Sequence, residues 1–292
     1  MKSMAIAETV QEQPTLEALA ASISEISSLP HIAAKTIEIA NDPNSTTLDL
    51  KNVIETDAAL TARILRCVNS SAYALRQHIS NLMHAISYLG TREVRRLAVT
   101  ASVAELVRHD EEIGAYRRSS LWRHLVAVGL CARLLALRQK MPDFEDAFLA
   151  GLLHDIGIIL EDQYAHQGFR AVVSALDSHT PLIETERSVL GFDHCQLGAR
   201  LAGVWRFPEH VQAAIAHHHD SSDYRGPALP IVHCVEVANA VCTVKNLTSV
   251  GWKLVQAPGL ALRALALTRE QLTVLADDVD KELANNAALM EL

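Results

Sequence analysis

The segment FLAGLLHDIGII (residues 148–159) decides the fold of this chain. Its residues are apolar or small apart from one adjacent pair, His154 and Asp155. An imidazole next to a carboxylate offers a metal ion two ligands. A histidine in an apolar helix is also often a core residue with satisfied hydrogen bonds, so the pair alone supports either interpretation. The remaining histidines of the chain favour one of the two.

Further histidines lie on both sides of this pair, in segments that also show helical periodicity. They are His124, His194, His218 and His219. Neutral imidazoles and carboxylates suit divalent Zn, Fe or Mn, and a single carboxylate can bridge two ions. The set therefore predicts a centre with one or two metal ions, built by residues from several helices.

Helical periodicity extends over most of the chain, and no stretch alternates convincingly as a strand does. The composition is 49% apolar but only 4% aromatic, which agrees with an all-α fold whose core consists of Leu, Ala, Val and Ile. Asp57 is expected to cap one helix, and Gly90 followed by Thr91 marks the end of one helix and the start of the next. A single helix over about 144–164 is expected to carry the HD pair.

The polar stretch HDEEIGAYRRSS separates two helical halves of the chain. An irregular beginning precedes the first half, in which Pro30 is expected to open a helix. The predicted organisation is a disordered lead (1–14), an N-terminal helical subdomain (15–108), a joint (109–120), a histidine-bearing subdomain (121–245) and a C-terminal helical extension (246–292).

Charge and cysteine usage exclude several functional classes. A net charge of −8 argues against a general nucleic-acid surface, and the basic segments TREVRRLA and YRRSSLWRH are interpreted as solvated helix faces. The five cysteines form no CxxC pair and predict reduced, buried thiols. Cys195 adjoins His194 and could instead be a soft metal ligand, although a packed thiol is favoured. No secretion signal or membrane-length apolar run is visible, so a cytoplasmic protein without membrane partners is expected.

Several segments together resemble HDOD domain proteins, a branch of the HD superfamily named for metal-dependent phosphohydrolases. The most specific are DAALTARILRCVNSSAY (57–73), ISNLMHAISYLGTREVRRLA (79–98), AFLAGLLHDIGIIL (147–160) and DHCQLGARLAGVWRFPEHVQAAIAHHHD (193–220). The likeness covers most of the chain. It implies a multi-helix bundle of the HDOD type, with an N-terminal helical half and a C-terminal HD-like half.

The resemblance also implies roles for individual residues. The expected metal ligands are His124, His154, Asp155, His194, His218 and His219. Asp155 would bridge the metals and, in an active enzyme, would be essential for catalysis. His210, His217 and Asp220 are expected to orient the ligating imidazoles, because such a ring usually needs a hydrogen bond on its other nitrogen.

The chain departs from the pattern of active relatives in two ways. Asn239 stands where the superfamily has its last ligand, an Asp, so a full negative charge is missing from the site. The HD pair is followed by Ile156 and Gly157 rather than Gly and Lys, and the GYP triplet of the cyclic-dinucleotide phosphodiesterases is absent. Hydrolysis of cyclic-di-GMP is therefore not expected.

Two functions remain open from the sequence. The favoured hypothesis is a bacterial-type signal transduction module whose HD-like pocket binds metal but is catalytically degenerate. The alternative is a metal-dependent phosphohydrolase acting on a nucleotide or another small phosphoester. One or two divalent ions (Fe, Mn, Zn or Mg) are the expected cofactor. The expected partner is a signalling protein, with a small phosphate or nucleotide ligand as a further candidate and no nucleic acid.

Overall fold

The computed structural model describes residues 14–26, 44–70, 77–107, 110–142 and 144–290, together with residues 35, 36, 38, 39, 73 and 75. The predicted disordered lead therefore lies outside the described residues apart from Pro14, and so does most of the helix predicted to begin at Pro30. The regular secondary structure of the described residues is helical except for one two-stranded hairpin, which confirms the all-α fold class.

The N-terminal half consists of short helices, of which the first packs on the helix that begins at His194 and the other four pack on one another. They are α1 (Leu16–Ile26), α2 (Thr47–Glu55), α3 (Ala58–Val68), α4 (Leu82–Leu89) and α5 (Thr91–Leu106). Asp57 caps α3 as predicted, because its side chain accepts hydrogen bonds from the amides of Ala59 and Leu60. Gly90 separates α4 from α5 with φ at +85°, a conformation that favours glycine.

A small hairpin occupies the predicted polar joint, where no strand was expected. Strands β1 (Glu112–Ile113) and β2 (Tyr116–Arg117) pair antiparallel across a turn in which Gly114 has φ at +56°. The hairpin is held to the helices because the buried Tyr116 hydroxyl donates a 2.8 Å hydrogen bond to Asp162. With only two residues in each strand, alternation is too short to detect in the sequence.

The histidine-bearing half is built around one long central helix. Its helices are α6 (Arg118–Arg138), α7 (Phe144–Leu153), α8 (Ile156–Tyr164), α9 (His166–Ala175), α10 (Leu182–Leu190), α11 (His194–Val204), α12 (Glu209–His217) and α13 (Leu229–Val244). Helix α6 packs most extensively against α7 and α13 and contributes to both major apolar clusters of the core. It is long and apolar enough to span a membrane, but 72% of its apolar window is buried, as in a core helix.

The predicted single helix over 144–164 is interrupted. Helix α7 ends at Leu153 and α8 begins at Ile156, so His154 and Asp155 lie in the turn between them. Close packing of helix backbones accompanies this break. A Cβ atom added to Gly157 would lie 1.9 Å from the carbonyl oxygen of His194, so α8 contacts the first residue of α11 backbone to backbone.

The C-terminal extension consists of α14 (Gly259–Ala264), α15 (Arg269–Asn285) and α16 (Ala287–Met290). The last two helices are separated at Asn286. Helix α15 packs on α6, and the indole of Trp122 donates a 3.2 Å hydrogen bond to the carbonyl of Leu289. The extension thus completes the core around the central helix.

Two arginines of the basic segments are half-buried, so the interpretation of those segments as solvated faces is wrong for them. The Arg96 side chain is only 9% exposed, forms a 2.6 Å ion pair with Glu93 and lies over the Phe148 ring. Arg118 pairs with the buried Asp162. Both arginines contribute to contacts between helices, because acidic partners from the fold neutralise them.

Candidate metal centre

The predicted ligands come from four separate places in the fold and converge. His124 lies in the second turn of α6, the HD pair lies in the turn after α7, His194 begins α11, and His218 and His219 follow α12 directly. The imidazoles of His124, His154, His194 and His218 are fully buried, Asp155 is 2% exposed and His219 is half-buried. The structure therefore brings all six predicted ligands together.

The Asp155 carboxylate lies between two pairs of imidazoles. Its Oδ2 atom is 3.4 Å from Nε2 of His124 and 3.2 Å from Nε2 of His154. Its Oδ1 atom is 3.4 Å from Nε2 of His194 and 3.1 Å from Nε2 of His218. Each oxygen thus faces its own pair of nitrogens, which is the arrangement of a carboxylate that bridges two metal ions.

The outer nitrogens of the four buried imidazoles fix the tautomers. Nδ1 of His124 is 2.7 Å from the Leu247 carbonyl and Nδ1 of His154 is 2.7 Å from the Gly151 carbonyl. Nδ1 of His218 is 3.1 Å from each of the Ala214 and Ile215 carbonyls. Because a carbonyl only accepts, each Nδ1 must carry the proton, and in the neutral ring the Nε2 lone pair then points toward Asp155.

Acidic side chains provide the corresponding support for His194. Oε2 of Glu186 accepts hydrogen bonds from Nδ1 of His194 at 2.7 Å and from its backbone amide at 3.1 Å. Glu186 is fully buried on α10, and Glu161 lies near it on α8. Burial and the neighbouring Glu186 raise the pKa of Glu161 well above its usual value, which favours the neutral form of the Glu161 carboxyl group.

The spacing of the inward nitrogens fits a metal. Nε2 atoms lie 3.3 Å apart in the His124 and His154 pair, 3.3 Å apart in the His194 and His218 pair, and 3.1 Å apart between His194 and His219. Nitrogens bound about 2.05 Å from a tetrahedral metal are about 3.3 Å apart. Neutral lone pairs at this distance repel each other unless a cation lies between them. The donor set therefore fits a divalent cation, and its five imidazoles suit Zn, Fe or Mn better than Mg, which prefers oxygen ligands.

In the metal-free protein, protons on the imidazoles supply part of the positive charge that a metal ion would otherwise bring to the cluster. Burial disfavours the charged form of His218, but Cys195 and Asp155 outweigh it and raise its pKa to about 10. Burial lowers the pKa of His154 to about 4. Burial also opposes the charged form of Asp155, yet the surrounding histidines hold its pKa well below the usual value. Metal binding must therefore displace protons from imidazoles that carry them.

These pKa shifts predict a pH dependence for protein stripped of metal by a chelator. The pKa of His218 is about 10 in the folded state and about 6.5 in the unfolded chain, so its contribution to stability is complete below pH 6.5 and disappears as the pH rises through 10. We expect the urea midpoint of the metal-free protein to fall between pH 7 and pH 10, and to fall less steeply in His218→Gln. Equal slopes for the two proteins would contradict this assignment.

The residues predicted to orient the imidazoles lie elsewhere. Nε2 of His210 is 3.8 Å from Asp146, the His217 ring packs on Tyr224, and the exposed Asp220 accepts a hydrogen bond from the Ser222 amide. In the described part of the chain, backbone carbonyls and Glu186 hold the outer nitrogens instead. Glu186 could have been noticed in the sequence as an acidic residue on the apolar face of a helix that ends shortly before His194.

The supporting role of Glu186 is open to direct measurement. Glu186→Gln keeps the size of the side chain but removes the negative charge that increases the basicity of His194. We expect metal affinity to fall about 10- to 100-fold, as measured by competition with a chromophoric chelator. Glu184→Gln, at an exposed position on the same helix, should leave the affinity unchanged. Equal affinities for the two variants would argue against the role of Glu186.

The position of the missing acid is also buried. Asn239 lies on α13, is 2% exposed, and accepts a 3.3 Å hydrogen bond from the Thr243 hydroxyl through Oδ1. Glu236, one turn earlier, accepts a 2.7 Å hydrogen bond from Ser221. The amide and the carboxylate thus each have a partner outside the histidine cluster.

Comparisons with known proteins agree with this geometry. The sequence pattern that defines the HDOD domain matches residues 26–221. A crystal structure of an HDOD domain protein of unknown function from Geobacter sulfurreducens has 25% sequence identity and a TM-score of 0.75, with 94% of this chain and 96% of that chain covered. The likeness therefore extends over the whole fold.

Other similar proteins have different functional descriptions. A candidate signal transduction protein from Marinobacter aquaeolei VT8 is 26% identical with a TM-score of 0.78, covering 96% of this chain and 62% of that one. A candidate phosphohydrolase from Shewanella amazonensis SB2B, at 20% identity and a TM-score of 0.70 over 94% and 97% of the two chains, shows the fold alone. An uncharacterized protein of Treponema pallidum is 25% identical over 81% of this chain, which spans about half (46%) of that relative.

Proposed function

Because this chain belongs to the HDOD domain family, we propose that it is a regulatory module of signal transduction whose HD-type pocket holds a divalent metal but is a degenerate catalyst. The proposed ligands are His124, His154, Asp155, His194, His218 and His219. Asp155 would serve both metal positions. The similar protein from Marinobacter aquaeolei VT8, named as a candidate signal transduction protein, supports the regulatory part of the proposal.

The burial of the donor atoms carries the proposal that the site is not catalytic. Four of the imidazoles are fully buried and Asp155 is 2% exposed. A hydrolytic metal keeps a coordination position for water or substrate, whereas a structural metal is enclosed by protein ligands. A charged phosphoester would have to pass the helices that enclose these donors. An enclosed metal suits a role in holding α6, α8, α11 and α12 together, and so in setting the shape of a surface seen by a partner.

Asn239 supports the same conclusion on electrostatic grounds. Its amide oxygen provides no full negative charge, so a dication at this site is neutralised less completely than in relatives with an aspartate there. We expect Asn239→Asp to increase the metal occupancy of the purified protein. Asn285→Asp on α15, which adds the same charge at an exposed position, is the matched control. Unchanged occupancy in Asn239→Asp would mean that the missing charge does not limit binding.

The alternative function is a metal-dependent phosphohydrolase acting on a nucleotide or another small phosphoester. The convergence of all six expected ligands favours it. A metal bound there would supply a Lewis acid and lower the pKa of a bound water. The protein itself would fix the ligand geometry through Asp155 and through the carbonyls on the outer nitrogens. Exclusion of bulk water from the buried donors would strengthen their electrostatic interactions.

A single assay series separates the two functions. Metal content is measured in the purified protein, and hydrolysis of bis-p-nitrophenyl phosphate is then followed with added Mn or Fe. The regulatory proposal expects bound metal with no turnover above the level of Asp155→Ala. Turnover by the wild type that disappears in Asp155→Ala would overturn it in favour of the phosphohydrolase. Absence of any bound metal would overturn both.

The proposed partner is a signalling protein that contacts the N-terminal half. Exposed large apolar side chains there support this surface, because Leu48 on α2 and Met83 and Tyr88 on α4 are 51%, 37% and 61% exposed. A small phosphate or nucleotide ligand belongs to the alternative function. The net charge of −8 supports the proposal that nucleic acid is not a partner. We also propose that the protein acts in the cytoplasm without membrane partners, since the one apolar helix of membrane length among the described residues has 72% of its apolar window buried.

A further inference from the structure

The donor atoms of the pocket form two groups with different chemistry. The first position consists of His124, His154 and Asp155, which provide nitrogen and oxygen. The second position contains His194, His218 and His219 and also the thiol of Cys195. The four donor atoms of the second position lie within 4.8 Å of one another. A sulfur atom is thus part of one group and not of the other.

Cys195 is held at this place by the start of α11. Asp193 caps the helix through a 2.8 Å hydrogen bond from the Gln196 amide, which fixes the backbone on both sides of Cys195. The Cys195 residue is 8% exposed, is not part of a disulfide, and its Sγ lies 4.0 Å from Nε2 of His218. Ligands bound to a tetrahedral metal at about 2.3 Å for sulfur and about 2.05 Å for nitrogen are about 3.6 Å apart. Only a small side-chain adjustment therefore separates the thiol from a ligand position.

A second observation indicates that the second position favours a bound cation. Oδ1 of Asp155, which faces His194 and His218, is buried and has no hydrogen-bond donor in the described part of the chain when those rings are protonated on Nδ1. The inward lone pairs of the two rings are 3.3 Å apart. When both rings are neutral, as metal ligation requires, the unpartnered buried carboxylate oxygen and the two facing lone pairs require a positive charge between them.

We propose that Cys195, as a thiolate, is a ligand of the metal at the second position together with His194, His218 and His219. The inference rests on the proposed metal-binding function. On coordination the thiol loses its proton to solvent and forms a sulfur–metal bond. Thiolate is a soft ligand, so the second position selects zinc or cobalt over manganese and magnesium. Together with Oδ1 of Asp155, these side chains would surround the second metal position with protein donors, as in a metal site of the structural type.

Cobalt provides the test, because thiolate ligation of Co²⁺ produces an intense near-ultraviolet charge-transfer band and imidazole ligation does not. The full-length protein is stripped of metal and titrated anaerobically with Co²⁺. We expect the band in the wild type and in Cys67→Ser, a control at a buried cysteine of α3, and its loss in Cys195→Ser. Cys195→Ser should also weaken zinc binding at least about tenfold while leaving manganese binding unchanged.

The outcomes separate this inference from the proposed function. Cobalt bound to the wild type without a thiolate band would overturn the role of Cys195 and leave the metal site intact. Absence of any cobalt binding would overturn the metal site itself. X-ray absorption of the zinc-loaded wild type needs no variant and guards against misfolding of Cys195→Ser. It should show a sulfur scatterer at about 2.3 Å, and a shell of nitrogen and oxygen alone would contradict the proposal.

Discussion

Replacing Asp155 with alanine is expected to remove metal from both positions of the pocket. The two carboxylate oxygens face separate imidazole pairs at 3.1 to 3.4 Å, so a single substitution removes an anionic ligand from each. Loss of a residue that only supports a ligand costs about 10- to 100-fold in affinity, and loss of a shared ligand should cost at least about 100-fold. Metal analysis after dialysis should therefore find less than about a tenth of the wild-type content.

Two further variants make this result interpretable. Asp155→Asn keeps the shape of the side chain and should lose nearly as much metal, which assigns the effect to charge. Asp220→Asn removes a carboxylate that is next to His219 in sequence but exposed, and should retain the wild-type metal content. Wild-type metal content in Asp155→Ala would show that the imidazoles alone hold the ions.

The largest loss of stability is expected from Gly157→Ala. An added Cβ atom would lie 1.9 Å from the His194 carbonyl oxygen, which belongs to the backbone of a packed helix and cannot rotate away. Helices α8 and α11 must separate to accept the methyl group. Overpacking typically costs about 1 to 3 kcal/mol, and a clash with packed backbone is expected at the upper end of that range. The urea midpoint should fall accordingly. Metal occupancy should fall with it, because His194 would move away from the cluster.

Gly203→Ala is the matched control for Gly157→Ala. Gly203 lies on α11, and the nearest atom to an added Cβ there is Oε1 of Gln212 at 3.7 Å. Alanine has the higher helix propensity, so this variant should equal or exceed the wild-type stability by up to about 1 kcal/mol. Similar midpoints for Gly157→Ala and the wild type would mean that the close contact of α8 with α11 is not maintained in solution.

Sequence reasoning identified the helical class and the members of the histidine cluster because both leave local signals. Apolar periodicity marks helices, and Asp57 and Gly90 mark helix ends through side-chain capping and backbone conformation. The six clustered residues were chosen by their chemistry and by the family resemblance. Their convergence around Asp155 depends on the packing of helices that lie far apart in the chain, and the structure shows it.

The sequence-based predictions that the structure contradicts also have specific causes. The turn at His154 and Asp155 was taken for helix because Ile156 to Leu160 continues the apolar pattern of α7. The imidazoles were expected to be oriented by nearby polar residues such as His217, whereas the Leu247 carbonyl and Glu186 orient them. Every residue has a backbone carbonyl, so the residue types do not show which carbonyl will accept a hydrogen bond from an imidazole. Arg96 looked solvated because its contact with the aromatic face of Phe148 forms only in the folded chain, although its partner Glu93 lies three residues earlier on the same helix.

The wide separation of the ligands along the chain has a consequence for the order of folding. Residues 124 to 219 must be brought together before the inward nitrogens are 3.3 Å apart, and contacts of such long range form late. In a zinc finger the ligands are close in sequence and the metal drives the folding of the domain. Here the bundle has to collapse first, so the ion would enter a nearly finished protein. Newly synthesised chains would then fold at the same rate whether or not metal is available, and differ only in how long they stay folded.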